Sequence, residues 1–232
     1  MRLEININHT CNAAYRWCNR AIDKIFISNM DMTLAQLDKA CDVIDEEGAV
    51  FEHVIIAGGE PTMHPDMEEM VRLVDRRIHA PGDNRVSTNG MIKIKPPLPD
   101  GWRYYEVGLR NDNPRSGKRG HWPWFISPHD FGFEASHEKC KMWRRCGIGL
   151  DACGFSMCSA ASTFGRLLKI NPYFDKPSEE ETPQDMCKHC INGLTRRERR
   201  KLHEIAPPID QRYKTAISEY REKPIHFKRA FE

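Results

Sequence analysis

Two apolar runs, each closing on an unusual turn, constrain this chain more than any other feature. The first, Leu3-Glu4-Ile5-Asn6-Ile7-Asn8, alternates with period two and predicts a strand with one apolar face. It leads into the loop Cys11-Asn12-Ala13-Ala14-Tyr15-Arg16-Trp17-Cys18. The second, Val54 to Ala57, suits a buried parallel strand and ends in Gly58-Gly59-Glu60-Pro61. Between them Thr33-Leu34-Ala35-Gln36 is a capping box that starts a helix. Leu34, Leu37, Cys41 and Ile44 follow at helical spacing, and Gly48 supplies the stop. Cys41 therefore belongs to the core, where free cysteine acts as a small hydrophobe.

The same alternation continues downstream. His64-Pro65-Asp66 opens a second helix whose apolar face is Met67, Met70, Val71, Val74 and Ile78, stopped by Pro81-Gly82. Arg85 to Gly90 predicts a third strand ending in a polar turn. Residues 91 to 100 hold three prolines and predict a loop in place of a third helix. Tyr104 to Arg110 alternates again, with Glu106, Gly108 and Arg110 on one side, and His121 to Ser127 predicts one more strand. This pattern predicts an α/β fold, an abbreviated, partial (β/α) TIM-like barrel of about five strands. Glu4, Asn6 and Asn8 would then line its interior; a half-exposed edge strand is the plainer alternative. The glycine-rich, basic stretch Asn111 to Gly120 reads as a connector rather than a clamp for an acidic substrate.

Cysteine density changes abruptly after residue 138. Cys140, Cys146, Cys153 and Cys158 are followed by the C-x-x-C of Cys187 and Cys190, and Gly147 to Cys158 reads as a small hairpin. Nine cysteines without a secretion signal point to metal or redox chemistry rather than a disulfide framework. The opening Met-Arg-Leu-Glu predicts a strand and not a signal peptide, and no run approaches eighteen apolar residues, so a cytoplasmic location away from membranes is expected. Near-equal bases and acids, 35 against 33, argue against nucleic-acid binding by bulk charge. The expected layout is a barrel over 1–130, a cysteine-rich appendage over 138–192, and a C-terminal helix and tail over 193–232. Thr195-Arg196-Arg197-Glu198 is a further capping box, opening a basic helix to about Glu204.

Together, the Cys11–Cys18 loop and the Gly58–Pro61 turn resemble the radical S-adenosylmethionine superfamily. In that family three cysteines spaced C-x3-C-x2-C hold a 4Fe–4S cluster, and the fourth iron takes the cosubstrate. The middle position here is Tyr15. Three readings of it stay open: a phenolate that replaces the thiolate, a labile two-cysteine cluster, or lost catalysis in a retained scaffold. The resemblance implies that Cys11, Tyr15 and Cys18 face the radical-generating cluster. It implies that Gly58, Gly59, Glu60, Pro61, Ser87 and Asn89 face S-adenosylmethionine, and Arg110 is a candidate partner for the cosubstrate carboxylate. The later cysteines resemble a SPASM or twitch domain and imply one auxiliary 4Fe–4S cluster. Cys140, Cys158, Cys187 and Cys190 are the first choice of ligands, with Cys146 as a substitute. A structural zinc site is the alternative. The implied substrate is a peptide or small molecule, and the implied partner is an electron donor such as flavodoxin or ferredoxin; the basic run Arg196 to Lys201 reads as a solvated face, with docking of an acidic donor as the alternative. No residue is singled out as catalytic.

Overall fold

The computed structural model describes residues 1–13, 18, 20–22, 24–25, 27, 30–93, 95–107, 125–140, 143, 147–178 and 184–231. Tyr15, residues 108–124 with Arg110, and Cys146 lie outside them. The chain is α/β. Strands β1 (Arg2–Asn6), β2 (His53–Ala57), β3 (Asn84–Thr88) and β4 (Trp102–Glu106) run parallel, with helices α1 (Leu34–Glu46) and α2 (Met67–Arg77) in the crossovers. Strand β5 (Ile148–Asp151) adds to the other side of β1, also parallel, and β6 (Gly154–Ser156) and β7 (Tyr173–Phe174) complete the sheet antiparallel. The order is β4-β3-β2-β1-β5-β6-β7.

Strand β1 is thus central, not an edge. Its odd residues, Leu3, Ile5 and Ile7, pack with Leu37, Cys41, Ile44, Met70, Val71 and Val74 in the core between sheet and helices. Register places Ile55 and Ala57 of β2, Gly149 and Asp151 of β5 and Ser87 of β3 on the face shared by Glu4 and Asn6. Both capping boxes form: Thr33 and Gln36 exchange hydrogen bonds at the start of α1, and Gly48 follows its end with φ +60°. Cys41 is wholly buried.

Four expectations change. The hairpin of the cysteine-rich region continues the sheet across the anticipated boundary, because Gly147, at φ +71°, lets the chain pass against the Arg2 carbonyl. Strand β4 ends at Glu106 among described residues, and Phe125 to Ser127 form no strand; the start of that anticipated strand lies outside the described residues. The parallel partner that makes five is therefore β5. The C-terminal segment, which the sequence suggests is a peripheral helix and an extended end, packs into the fold. Helices α3 (Ala161–Leu168), α4 (Gln184–Cys187), α5 (Arg196–Ile205) and α6 (Gln211–Glu222) complete the chain, and α6 buries Tyr213, Ile217 and Tyr220 in a second core with Phe125, Phe164 and Met157.

Candidate functional site

The carboxyl ends of the parallel strands are joined by polar contacts. Beyond β1 and β2 the backbones keep pairing, with Gly59 N donating to Asn8 O at 2.9 Å and Glu60 N to Thr10 O at 2.8 Å. A Cβ on Gly59 would strike the Thr10 carbonyl, and one on Gly58 would meet Asn8 O at 2.6 Å. The glycines therefore allow close approach between two turns. Asn8 Nδ2 reinforces the contact by donating to Glu60 O at 2.9 Å.

Glu60 is fully buried and its carboxylate is a bracket. Oε1 accepts from Thr62 N (3.2 Å), Thr62 Oγ1 (2.5 Å) and Thr88 Oγ1 (2.7 Å), and Oε2 accepts from Asn89 N (2.7 Å). Pro61 is buried and begins a short 3-10 turn, Pro61–Met63. Asn89, also buried, carries the bracket to the cysteine loop: Nδ2 donates to Asn12 Oδ1 at 2.7 Å and lies 3.9 Å from Cys11 Sγ. Cys11 Sγ further accepts from Ala13 N at 3.4 Å. Burial first, and more weakly the charges of Cys18 and Glu60, push the Cys11 thiol up. Ser87 sits half-buried on the shared sheet face.

Beneath this turn the polar face of β1 is buried and satisfied. Arg20 folds across it, Nη2 bonding Glu4 Oε1 at 2.5 Å and Asn6 Oδ1 at 2.6 Å. His9 Nε2 donates to Arg20 O at 3.1 Å, and burial lowers its pKa to about 4, so it is neutral. Sequence reasoning missed Thr62, Thr88, Asn12 and Arg20. Only Thr88, preceding the Asn-Gly turn, left a signal.

The later cysteines meet at a second place. Cys140, Cys158, Cys187 and Cys190 line one cavity with Trp143, Met157 and Phe164. They arrive from separate segments: Cys140 before the hairpin, Cys158 after it, and Cys187 and Cys190 from α4 and the turn beyond. Gly149 lets Cys158 through, since its Cβ would lie 2.9 Å from Cys158 O. Asn6 Nδ2 ties the next residue to β1 through Ser159 O at 3.5 Å. Burial pushes the Cys158 thiol well up, and the charges of Cys190, Cys140 and Cys187 add to it. The same causes bring Cys187 to about 12 and Cys190 to about 11. The cavity measures about 30 Å³, room for little more than a water, so a larger occupant requires the thiols to turn outward. Among the described residues no three His, Cys, Asp or Glu converge on a single metal ion. Cys153 is elsewhere, against Arg166 Nη2 (3.5 Å) and Phe227 O (3.8 Å).

No family model and no curated protein matches this chain. Among the described residues no helix is long and apolar enough to cross a membrane.

Proposed function

We propose that the chain is a radical S-adenosylmethionine protein whose sheet is a partial barrel and whose cysteine-rich region holds one auxiliary 4Fe–4S cluster. The observation that carries this reading is the fastening of the Cys11 loop to the Glu60 turn through Asn89, at the carboxyl ends of parallel strands. Ligands of parallel α/β folds bind at that end. The donor types fit, since thiolates such as Cys11 and Cys18 would offer suit iron–sulfur clusters. Cys11 and Cys18 would hold the cluster, which would supply the one-electron chemistry for reductive cleavage of S-adenosylmethionine, with a peptide or small molecule as the substrate.

The chain's own residues position and enclose. Glu60 locks the glycine turn against the cysteine loop, Asn89 points an amide at Cys11, and Arg20 neutralises Glu4 inside the sheet face. Four thiols line the second cavity, a donor set that suits an iron–sulfur cluster and also a zinc ion. Metal binding would deprotonate thiols that burial now holds protonated, so loading releases protons. The expected setting is the cytoplasm, with flavodoxin or ferredoxin as electron donor.

Anaerobic reconstitution tests this. Two clusters by iron and sulfide count, and 5′-deoxyadenosine under dithionite, are expected. One cluster without deoxyadenosine would leave a binding scaffold of the same fold, and absence of iron would overturn the proposal. Gain of both cluster and activity in Tyr15→Cys would mark Tyr15 as a lesion and not a ligand.

A further inference from the structure

One buried cation beside the polar face of the sheet has no directly bonded acid. Arg166 of α3 is only 2% exposed, and among the described residues no carboxylate bonds its guanidinium. Its Nη1 is fully engaged, donating to Ser162 O (2.9 Å), Ser162 Oγ (2.6 Å) and Tyr173 Oη (2.9 Å). Tyr173 Oη in turn donates to Asp151 Oδ2 at 2.9 Å, so the nearest counter-charge is reached at second hand. Asp151 closes β5 at its carboxyl end, on the face of Glu4 and Asn6. The rest of the guanidinium is poorly used. Nη2 meets two sulfurs, Met30 Sδ at 3.4 Å and Cys153 Sγ at 3.5 Å, and Nε is buried with no acceptor among the described residues. Sulfur is a weak acceptor. Nε and Nη2 together form the edge with which arginine grips a carboxylate in two parallel bonds. Buried charges are normally paired, so an edge without an oxygen acceptor marks a place where one docks.

What covers this group is the C-terminal tail. The Phe227 ring lies 5.0 Å from the guanidinium and meets the Tyr173 ring edge-on at 5.3 Å, and Phe227 O accepts from Cys153 Sγ at 3.8 Å. Residues 224–231 form neither helix nor strand, so this cover can lift without breaking the sheet. We propose that Arg166 anchors a carboxylate of the substrate, which enters at the carboxyl end of β5 when the tail around Phe227 lifts. The inference rests on the reading above in calling that ligand the substrate. A carboxylate fits better than a phosphate dianion, because it is planar and singly charged and one cation receives it among thioether, thiol and phenyl groups.

Cys153, beside Nη2, reports on the anchor. The full chain is alkylated with iodoacetate, which carries a carboxylate, and with neutral iodoacetamide, and the rates at Cys153 are mapped by mass spectrometry. Their ratio cancels the exposure and thiolate fraction of the thiol. Arg166→Gln is expected to lower the iodoacetate-to-iodoacetamide ratio about tenfold, the equivalent of one charge-assisted hydrogen bond. Arg166→Lys keeps a point charge without the fork and is expected to lower it less. Phe227→Ala is expected to speed both reagents. Excess acetate is expected to lower the ratio of the parent, and chloride at equal ionic strength to leave it in place. A ratio unmoved by Arg166→Gln overturns the inference. If that variant fails to fold, a parent ratio unmoved by acetate overturns it. A Cys153 that neither reagent labels, even in Phe227→Ala, overturns it as well. A chain that takes up no iron but shows the expected ratios loses the cluster reading and keeps the anchor.

Discussion

Glu60 is the residue on which the strand-end site turns, and its carboxylate accepts two bonds from Thr62 in the turn after β2 and two from Thr88 and Asn89 at the end of β3. Glu60→Gln keeps the shape but presents an NH2 group to donors. It is expected to cost about 1.5–3 kcal/mol, the range for hydrogen bonds to a charged group, read from urea unfolding. His203 provides a pH signature. Burial, and then the Arg199 charge, lower its pKa from 6.5 to about 4. Above pH 6.5 both folded and unfolded imidazoles are neutral. Between 6.5 and 4 the unfolded chain takes a proton that the folded chain refuses, so stability falls as pH falls through that window. His203→Gln is expected to flatten this decline in urea midpoints measured at pH 7 and pH 4.5.

At the scale of elements, close approach decides where β5 goes. Gly147 combines a left-handed backbone with contact against the Arg2 carbonyl, and β5 then runs in register with Leu3, Glu4 and Ile5. Gly147→Ala is expected to destabilise by about 2–4 kcal/mol, from overpacking and a left-handed alanine together, seen as a lower urea midpoint. The effect should also loosen Cys158, which reaches its cavity through the same hairpin. Faster alkylation of Cys158, mapped by mass spectrometry, would show this; an unchanged rate would mean that the hairpin does not hold the thiol.

Across the whole molecule the C-terminal tail is a strap. Ala230 N donates to Ala152 O at 2.9 Å, Gln36 Nε2 donates to Ala230 O at 3.2 Å, and Phe231 meets Phe155 edge-on at 5.8 Å. It joins the hairpin turn to the start of α1, two regions far apart in sequence. Deleting residues 223–232 is expected to lower the melting temperature. Phe231→Ala alone should cost about 1–2 kcal/mol, below a full core truncation because the ring is only partly buried. An unchanged melting temperature in the deletion would show the strap to be ornamental.

The local code was legible because each signal acts within a few residues. Thr33 and Thr195 satisfied their own helix starts, the helical spacing of Leu37, Cys41 and Ile44 buried one face, and the period of β1 separated polar from apolar sides. The fold places Cys140, Cys158, Cys187 and Cys190 around one cavity. What the tertiary structure alone decided are the long-range choices. The hairpin pairs with β1 instead of standing apart, Gly58 and Gly59 accommodate a neighbouring turn, Glu60 brackets Thr88 and Asn89, and Arg20 covers Glu4. Hydrogen-bond partners tens of residues apart leave no period or cap in the sequence, because their geometry exists only once the sheet has formed.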